Sequence, residues 1–505
     1  MHLAIPAGPR RRTRRALLAA AVPAILAAMG LPTAAQASSI HINNGTLFVQ
    51  DPPIGQFQTA HNSVHARIEG SFLRITDSAG ISVPFAGQGC APVSTTDATC
   101  SLSLVRQISA ALGPGNDTWR SDIATPVSLF GGSGNDTYVR GLGSFVSRVD
   151  FQGDTGIDQA SYALADRGVT VTKDERANDG RPGLDFDDVR GDVEHLFGSL
   201  HGDSLNGGNA TDILEGFLGN DLLSGNGGDD QIRMGVASDG ADVVVGGADF
   251  DRVSYAQRTR PVTVNLSAGG ADDGEPGEGD EIREVELADG GKAGDTLMAN
   301  RALAGGVTLN GGGGIDTITG TDQGDRLQGN PGRDTIIALD GNDRIAARDN
   351  ATDDINCGIG TDSVEADPSI ELMSNCETVQ VGRLRLAPRV VRATAGRPAH
   401  LRLSWRHPRS WRKLRKIELR LVRDDVPVGE VAIRPRAQRS SADGAVELVR
   451  KHTRLSHRGK TVTARLALRL DRTLAGQSLT AEVEATDTRG RRQLESDAGT
   501  VRVAR

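Results

Sequence analysis

Between residues 198 and 233 an aliphatic side chain recurs at every ninth position, and the places between are mostly glycine or polar. The units GSLHGDSLN, GGNATDILE, GFLGNDLLS and GNGGDDQIR carry Leu205, Leu214, Leu223 and Ile232 at the eighth place and Asp203, Asp212, Asp221 and Asp230 at the sixth. Nine is neither a helical nor a coiled-coil period, so the pattern predicts a repeat architecture. After three further residues the phase resumes in ASDGADVVV and GGADFDRVS, with Asp242 and Asp251. A second run, GGGGIDTIT, GTDQGDRLQ, GNPGRDTII and ALDGNDRIA, carries Asp316, Asp325, Asp334 and Asp343 and closes near CGIGTDSVE with Asp362. Earlier and outlying copies hold Asp117, Asp136 and Asp295. In each unit the glycine-rich part predicts a tight turn, and the last three residues a short strand whose middle member points inward. Strands this short cannot stand alone, so many copies must stack before a core exists.

A longer duplication overlies the short one. GDTGIDQASYALADRGVTV is echoed by GADFDRVSYAQRTRPVTV, pairing Asp158 with Asp251, Tyr162 with Tyr255 and Val169 with Val262. The segments that follow, ERANDGRPGLDFDD and GGADDGEPGEGDE, are polar and acidic and are expected to form surface loops. From 38 to 112, IHINNGTLFVQ, HARIEGSFLRIT and SLSLVR alternate as strands do, which predicts a strand-rich cap. Residues 113–379 form the repeat region with its two related halves. From 380 to 505, KIELRLV, TVTARLALRL and LTAEVEAT alternate without the aspartate, which predicts a β-sandwich.

Composition sharpens this all-β picture. Sixty-three glycines stand against 11 Phe, 3 Trp and 3 Tyr, so the core must be thin and aliphatic. The net charge of −8 conceals an asymmetry: residues 38–379 hold 22 Lys and Arg against 53 Asp and Glu, and residues 380–505 hold 30 against 12. At the N-terminus, Arg10, Arg11, Arg12, Arg14 and Arg15 precede an apolar run over 16–29 and the small-residue pattern Ala35-Gln36-Ala37. Residues 1–37 therefore read as a cleaved secretory signal peptide, with Arg14-Arg15 leaving a twin-arginine route open beside the general one. The expected product is secreted and carries no transmembrane segment. In that setting Cys90 with Cys100 and Cys357 with Cys376 are expected to form two short-range disulfides.

Stacking raises an electrostatic problem. If two nonapeptides make one coil, Asp203 lies over Asp221, Asp212 over Asp230, Asp316 over Asp334 and Asp325 over Asp343. Columns of like charge a few ångströms apart repel unless a cation intervenes. Calcium suits turns that offer only carboxylates and carbonyls, and extracellular calcium modules typically bind at about 10⁻⁴–10⁻³ M. Magnesium demands stricter geometry, and transition metals prefer the imidazoles and thiolates that these turns lack.

The unit G-G-x-G-x-D-x-aliphatic-x resembles the hemolysin-type, or repeat-in-toxin (RTX), calcium-binding repeat. The resemblance implies a right-handed parallel β-roll with Ca²⁺ between turns. It assigns ligand roles to Asp136, Asp203, Asp212, Asp221, Asp230, Asp242, Asp251, Asp316, Asp325, Asp334, Asp343 and Asp362. His201, Ala210, Asp249 and Ala293 depart from the fourth-position glycine, so fewer sites than repeats are expected. An N-terminal signal and a basic tail also set this chain apart from family members exported by a C-terminal signal.

The sequence holds no H-E-x-x-H, G-x-S-x-G or P-loop, and His61 and His65 have no third ligand beside them. The expectation is a noncatalytic adhesive, spacer or surface-interaction protein; the alternative is a secreted enzyme whose site lies in the insertions or the C-terminal domain. The stretch SWRHPRSWRKLRK at 404–416 interleaves two tryptophans with basic residues. It makes the C-terminal domain a candidate contact for an anionic polymer or cell-surface ligand, although no specific nucleic-acid motif is present. The same stretch also reads as a solvated loop or a partner for the acidic repeats.

Overall fold

A computed structural model describes residues 38–50, 61–84, 88–143, 146, 148–267, 269–299, 305–366, 372–376, 378–380, 383–406, 410–423, 426–435, 439–488 and 492–504. The expected signal peptide lies outside these residues, as do residues 407–409 of the basic stretch. Apart from short 3-10 turns, the regular elements described are β-strands. The chain divides into two compact units, one ending at Leu200 and one starting at His201.

In the first unit two antiparallel hairpins, Ser38–Asn43 with Thr46–Gln50 and Ser63–Glu69 with Phe72–Asp77, start the stack. Thr46–Gln50 pairs in parallel with Gln107–Pro114, which is followed by Val127–Ser133 and Val149–Thr155. Ser63–Glu69 pairs likewise with Thr118–Asp122, which leads to Thr137–Arg140, Gln159–Ser161 and His195–Phe197. The expected cap is thus hydrogen-bonded into both parallel ladders. The Cys90–Cys100 disulfide joins two of its strands, Cys90–Pro92 and Asp97–Ser101.

The second unit shows the coil arithmetic of the repeats directly. Leu205 faces Leu223, and Leu214 faces Ile232, so neighbours in a ladder are copies two places apart. One ladder runs through Ile232, Val253, Ala288, Leu309, Leu327, Ile345 and Val364. Another joins Val264, Leu297, Ile318, Ile336 and Ile355. Each of these side chains is at most 2% exposed, and full burial of an aliphatic side chain stabilises by roughly 1.5–3 kcal/mol. The core is thin, as the shortage of aromatic residues predicts.

The duplicated insertions are folded inward rather than lying as surface loops. In the first, Asp179 accepts hydrogen bonds from the amides of Thr172 and Val189, both at 2.7 Å, and Asp187 accepts from Tyr138 (3.0 Å) and Tyr162 (3.3 Å). In the second, Asp273 accepts from the amides of Asn265 and Ile282, and Asp280 accepts from Tyr255 at 2.7 Å. Buried guanidinium groups neutralise the remaining acids. Arg181 binds Asp185 at 2.8 Å, joined by Arg140 at 3.1 Å, while Arg258 reaches Asp239, Glu278 and Glu275. Acidic composition suggested exposure, but Arg181 within the first insertion and Arg140 and Arg258 outside the insertions make burial tolerable.

The C-terminal residues form a two-sheet sandwich. One sheet orders Arg383–Ala387, Pro398–Arg406, Thr461–Leu470 and Val446–Leu448, with Arg454–Arg458 also on Thr461–Leu470; the other runs from Val390–Thr394 to Arg439–Gly444. Trp405 is wholly buried between the sheets, so it is a core residue and not part of a basic surface motif. Among the described residues no helix is long and apolar enough to cross a membrane.

Candidate metal centre

The first half of each nonapeptide builds the site. In GGGGIDTIT, Gly312 (φ +92°) and Gly314 (φ +129°) turn the chain in the left-handed region, and Asp316 ends the turn just before the strand Thr317–Thr319. That returns the aspartate side chain under its own loop. All twelve aspartates predicted as ligands are buried, at 5% exposure or less.

Their carboxylates follow one rule. The amide of each aspartate donates to Oδ1 of the carboxylate in the following coil: Asp203 to Asp221 (2.8 Å), Asp221 to Asp242 (2.9 Å), Asp212 to Asp230 (2.7 Å) and Asp230 to Asp251 (2.9 Å). The second run repeats it, with Asp295 to Asp316, Asp316 to Asp334 and Asp334 to Asp353 in one column and Asp325 to Asp343 to Asp362 in the other. In the first unit Asp117, Asp136, Asp158 and Glu194 are linked in the same manner. The expected stacking of copies two apart is therefore present in every run.

The second carboxylate oxygen divides the aspartates into two classes. Oδ2 of Asp212, Asp295 and Asp325 accepts from the amide four residues earlier, at 2.6 Å in each case. Oδ2 of Asp136, Asp158, Asp221, Asp251, Asp316, Asp334 and Asp343 is buried with no hydrogen-bond partner. Leaving an ionised oxygen in this state is costly unless a cation meets it. Burial, reinforced by neighbouring carboxylates, pushes Asp242 up to about 8, Asp136 and Asp343 to about 7, and Asp221, Asp316 and Asp334 to about 6.

The first glycine of the unit opens the space beside this oxygen. A Cβ on Gly131 would lie 2.5 Å from Asp136 Oδ2 and 2.8 Å from the carbonyl of Gly153 in the next coil. Gly311, Gly216 and Gly329 stand equally close to Asp316, Asp221 and Asp334. At Gly311, Gly216 and Gly329 the nearest wall is the carboxylate of the same unit, and at Gly131 carboxylate and carbonyl oxygen come from two coils, a donor set that fits a hard divalent cation.

With this geometry in place, the family profile for the RTX calcium-binding nonapeptide repeat matches four stretches, residues 127–144, 197–232, 236–254 and 310–345. The chain carries RTX-type calcium-binding repeats. No curated protein matches it. The RTX resemblance read from the sequence, the all-β roll and the Ca²⁺ ligand are thereby established. The partnerless Oδ2 atoms are free to meet a cation, whereas Oδ2 of Asp325 and Asp212 is already satisfied by its own loop.

Several column members escaped the sequence reading. Asp280, Glu194 and Glu286 return the columns to register after each insertion, and Asp353 continues the column from Asp334. Glutamate in place of aspartate hides Glu194 and Glu286; at Asp280 and Asp353 the signal was the isoleucine two residues on, Ile282 and Ile355. Asp349 also approaches, and its carboxylate forms a three-acid group with Asp334 and Asp353. His61 and His65 do not converge on a metal: His61 Nδ1 accepts from the Asn116 amide, and His65 pairs with Asp122.

The hollow makes a sharp comparison of two neighbouring glycines. Gly311→Ala keeps an accessible backbone but drives Cβ to 2.4 Å from Asp316 Oδ2. It is expected to destabilise the calcium-loaded protein by about 1–3 kcal/mol. Gly313→Ala meets nothing within 4 Å and should stay within about ±0.5 kcal/mol. Calcium-saturated melting curves of the two variants check this, and equal effects would refute the hollow as the reason for Gly311.

Proposed function

We propose that this RTX protein is exported and works outside the cell as a noncatalytic surface-interaction module whose roll folds when it meets calcium. The observation that carries the reading is the set of buried aspartates with one oxygen matched and one unmatched. Such a stack is self-repelling without a cation and cohesive with one, so cation binding and folding are coupled. Export is supported by the basic, then apolar, N-terminal pattern and by the Cys90–Cys100 and Cys357–Cys376 bridges, which suit an oxidising compartment. The noncatalytic role rests on the absence of a hydrolase, metalloprotease or phosphate-loop motif from the sequence. Circular dichroism of the chain with millimolar calcium and with chelator tests the coupling. The expected result is loss of β-structure on chelation; an unchanged spectrum and melting temperature would refute it.

A further inference from the structure

The sandwich sheet containing Pro398–Arg406 presents an outer face that no feature of the roll explains. Along its strands the buried residues Leu401, Leu403, Trp405, Val462, Ala464 and Leu466 alternate with outward positions. Directly paired across three strands on that outer side are Arg402, Arg465 and Arg454, all exposed. Four residues further along, about 13 Å away by strand geometry, Arg406 and Arg458 flank Thr461. Between the two arginine strips lies a row of hydroxyls, Ser404, Thr463 and Ser456, with exposed Arg385 at its end.

Among the described residues, none of these six arginines makes an ion pair. Like charges directly opposite on neighbouring strands destabilise a sheet, so the arrangement opposes folding and calls for a ligand. The chemistry of that ligand follows from what is present and what is missing. Every cation is a guanidinium, whose planar fork matches an oxyanion with two oxygens in one plane. The one ring at an outward position of Pro398–Arg406 is His400, which already stacks on His452 with centroids 6.4 Å apart, while Trp405 is in the core and Trp411 stacks on His457, so the face offers no open platform for bases. Among the described residues of this domain the large exposed apolar ones, Val390 and Val426, lie on the other sheet, so they do not equip this face to insert into a bilayer.

We propose that this arginine-paved face binds a linear, base-free phosphodiester polymer laid across the strands, with phosphates on the two arginine strips and the hydroxyl row between them. The inference rests on the surface-interaction role proposed above but not on calcium-coupled folding, so chelation tests one and polymer binding tests the other.

The test uses the calcium-loaded full chain and poly(glycerol phosphate) in a titration across salt concentrations. Affinity is expected to fall roughly 20- to 100-fold between about 50 and 200 mM salt, as three to five phosphate contacts require. Replacing Arg402, Arg454 and Arg465 together with Gln should weaken binding at least about tenfold and leave the melting temperature unchanged or raised, because repulsion is relieved. Arg412→Gln with Lys413→Gln, on a neighbouring turn, should bind as the parent does. Parent-like binding by the triple variant would overturn the proposal. So would a preference for single-stranded DNA, for vesicles containing anionic lipid, or for a second copy of the chain in sedimentation.

Discussion

In chelator, the melting temperature of this protein is expected to fall as pH rises from about 5 to 8, and saturating calcium should abolish or reverse that trend. The buried aspartates set the sign. Asp242 is pushed up to about 8, Asp136 and Asp343 to about 7, and Asp221, Asp316 and Asp334 to about 6, against an ordinary value of 3.8, with burial the largest cause. A carboxyl whose folded pKa is raised binds its proton more tightly in the native state. The stability it confers is complete below its unfolded pKa and is lost as pH rises through its folded value, here across about 6 to 8. At about 1–2 kcal/mol for each of several groups, the loss rivals the whole stability of about 5–15 kcal/mol of a typical domain. The acid side has its own limit, because arginine contacts hold Asp185 and Glu278 below their usual values against the opposing effect of burial, and their contribution is lost as pH falls toward 4 and below. Calcium replaces the protons and holds the aspartates as anions, so its binding should also release protons near neutral pH. Melting curves over pH with and without chelator decide the matter; a melting temperature in chelator that rose from pH 5 to 8 would contradict it.

Arg258→Ala is expected to cost about 3–5 kcal/mol even in saturating calcium. Its guanidinium is fully buried, 2.6 Å from Asp239, 2.9 Å from Glu278 and 3.4 Å from Glu275, and it lies 5.5 Å from the Tyr255 ring centre. Truncation removes the buried counter-charge of Asp239 and Glu278 and leaves Glu275 with only the exposed Arg260, 3.6 Å away. Arg258→Lys should recover only part of the loss, because one ammonium cannot address three acids as a fork does. Arg283→Ala is the control, since its partner Glu281 and Arg283 itself are partly exposed and such pairs contribute about 0–1 kcal/mol. Urea unfolding of the three variants measures the differences. Equal costs for Arg258→Ala and Arg283→Ala would mean that the cluster is not dehydrated.

The roll was legible in the sequence because each copy must meet two demands at once: an aliphatic residue in a three-residue strand and an acid at the end of the turn. Leu223 and Asp221 alone carry no such message; their recurrence at Ile232 and Asp230 does. The coil of two nonapeptides, the premise of the charge columns, is confirmed by the Leu205–Leu223 register. Less legible were features that depend on distant partners. Arg140 and Arg258 turn acidic segments into buried clusters, and Trp405 is drawn into a core whose other wall lies far along the chain. Local spacing cannot reveal which carboxylates already have donors.

The link from each aspartate amide to the carboxylate of the next coil gives the stack a direction. Asp203 waits for Asp221, and Asp316 waits for Asp334, 18 residues later in both cases. A chain emerging N-terminus first can therefore finish no coil until the next has arrived, and completion always trails synthesis or export by one turn. Near the far end the Cys357–Cys376 bridge spans 19 residues, the same step that separates Asp343 from Asp362. It acts as a latch: a covalent tie across one coil, placed at the last part of the roll to appear.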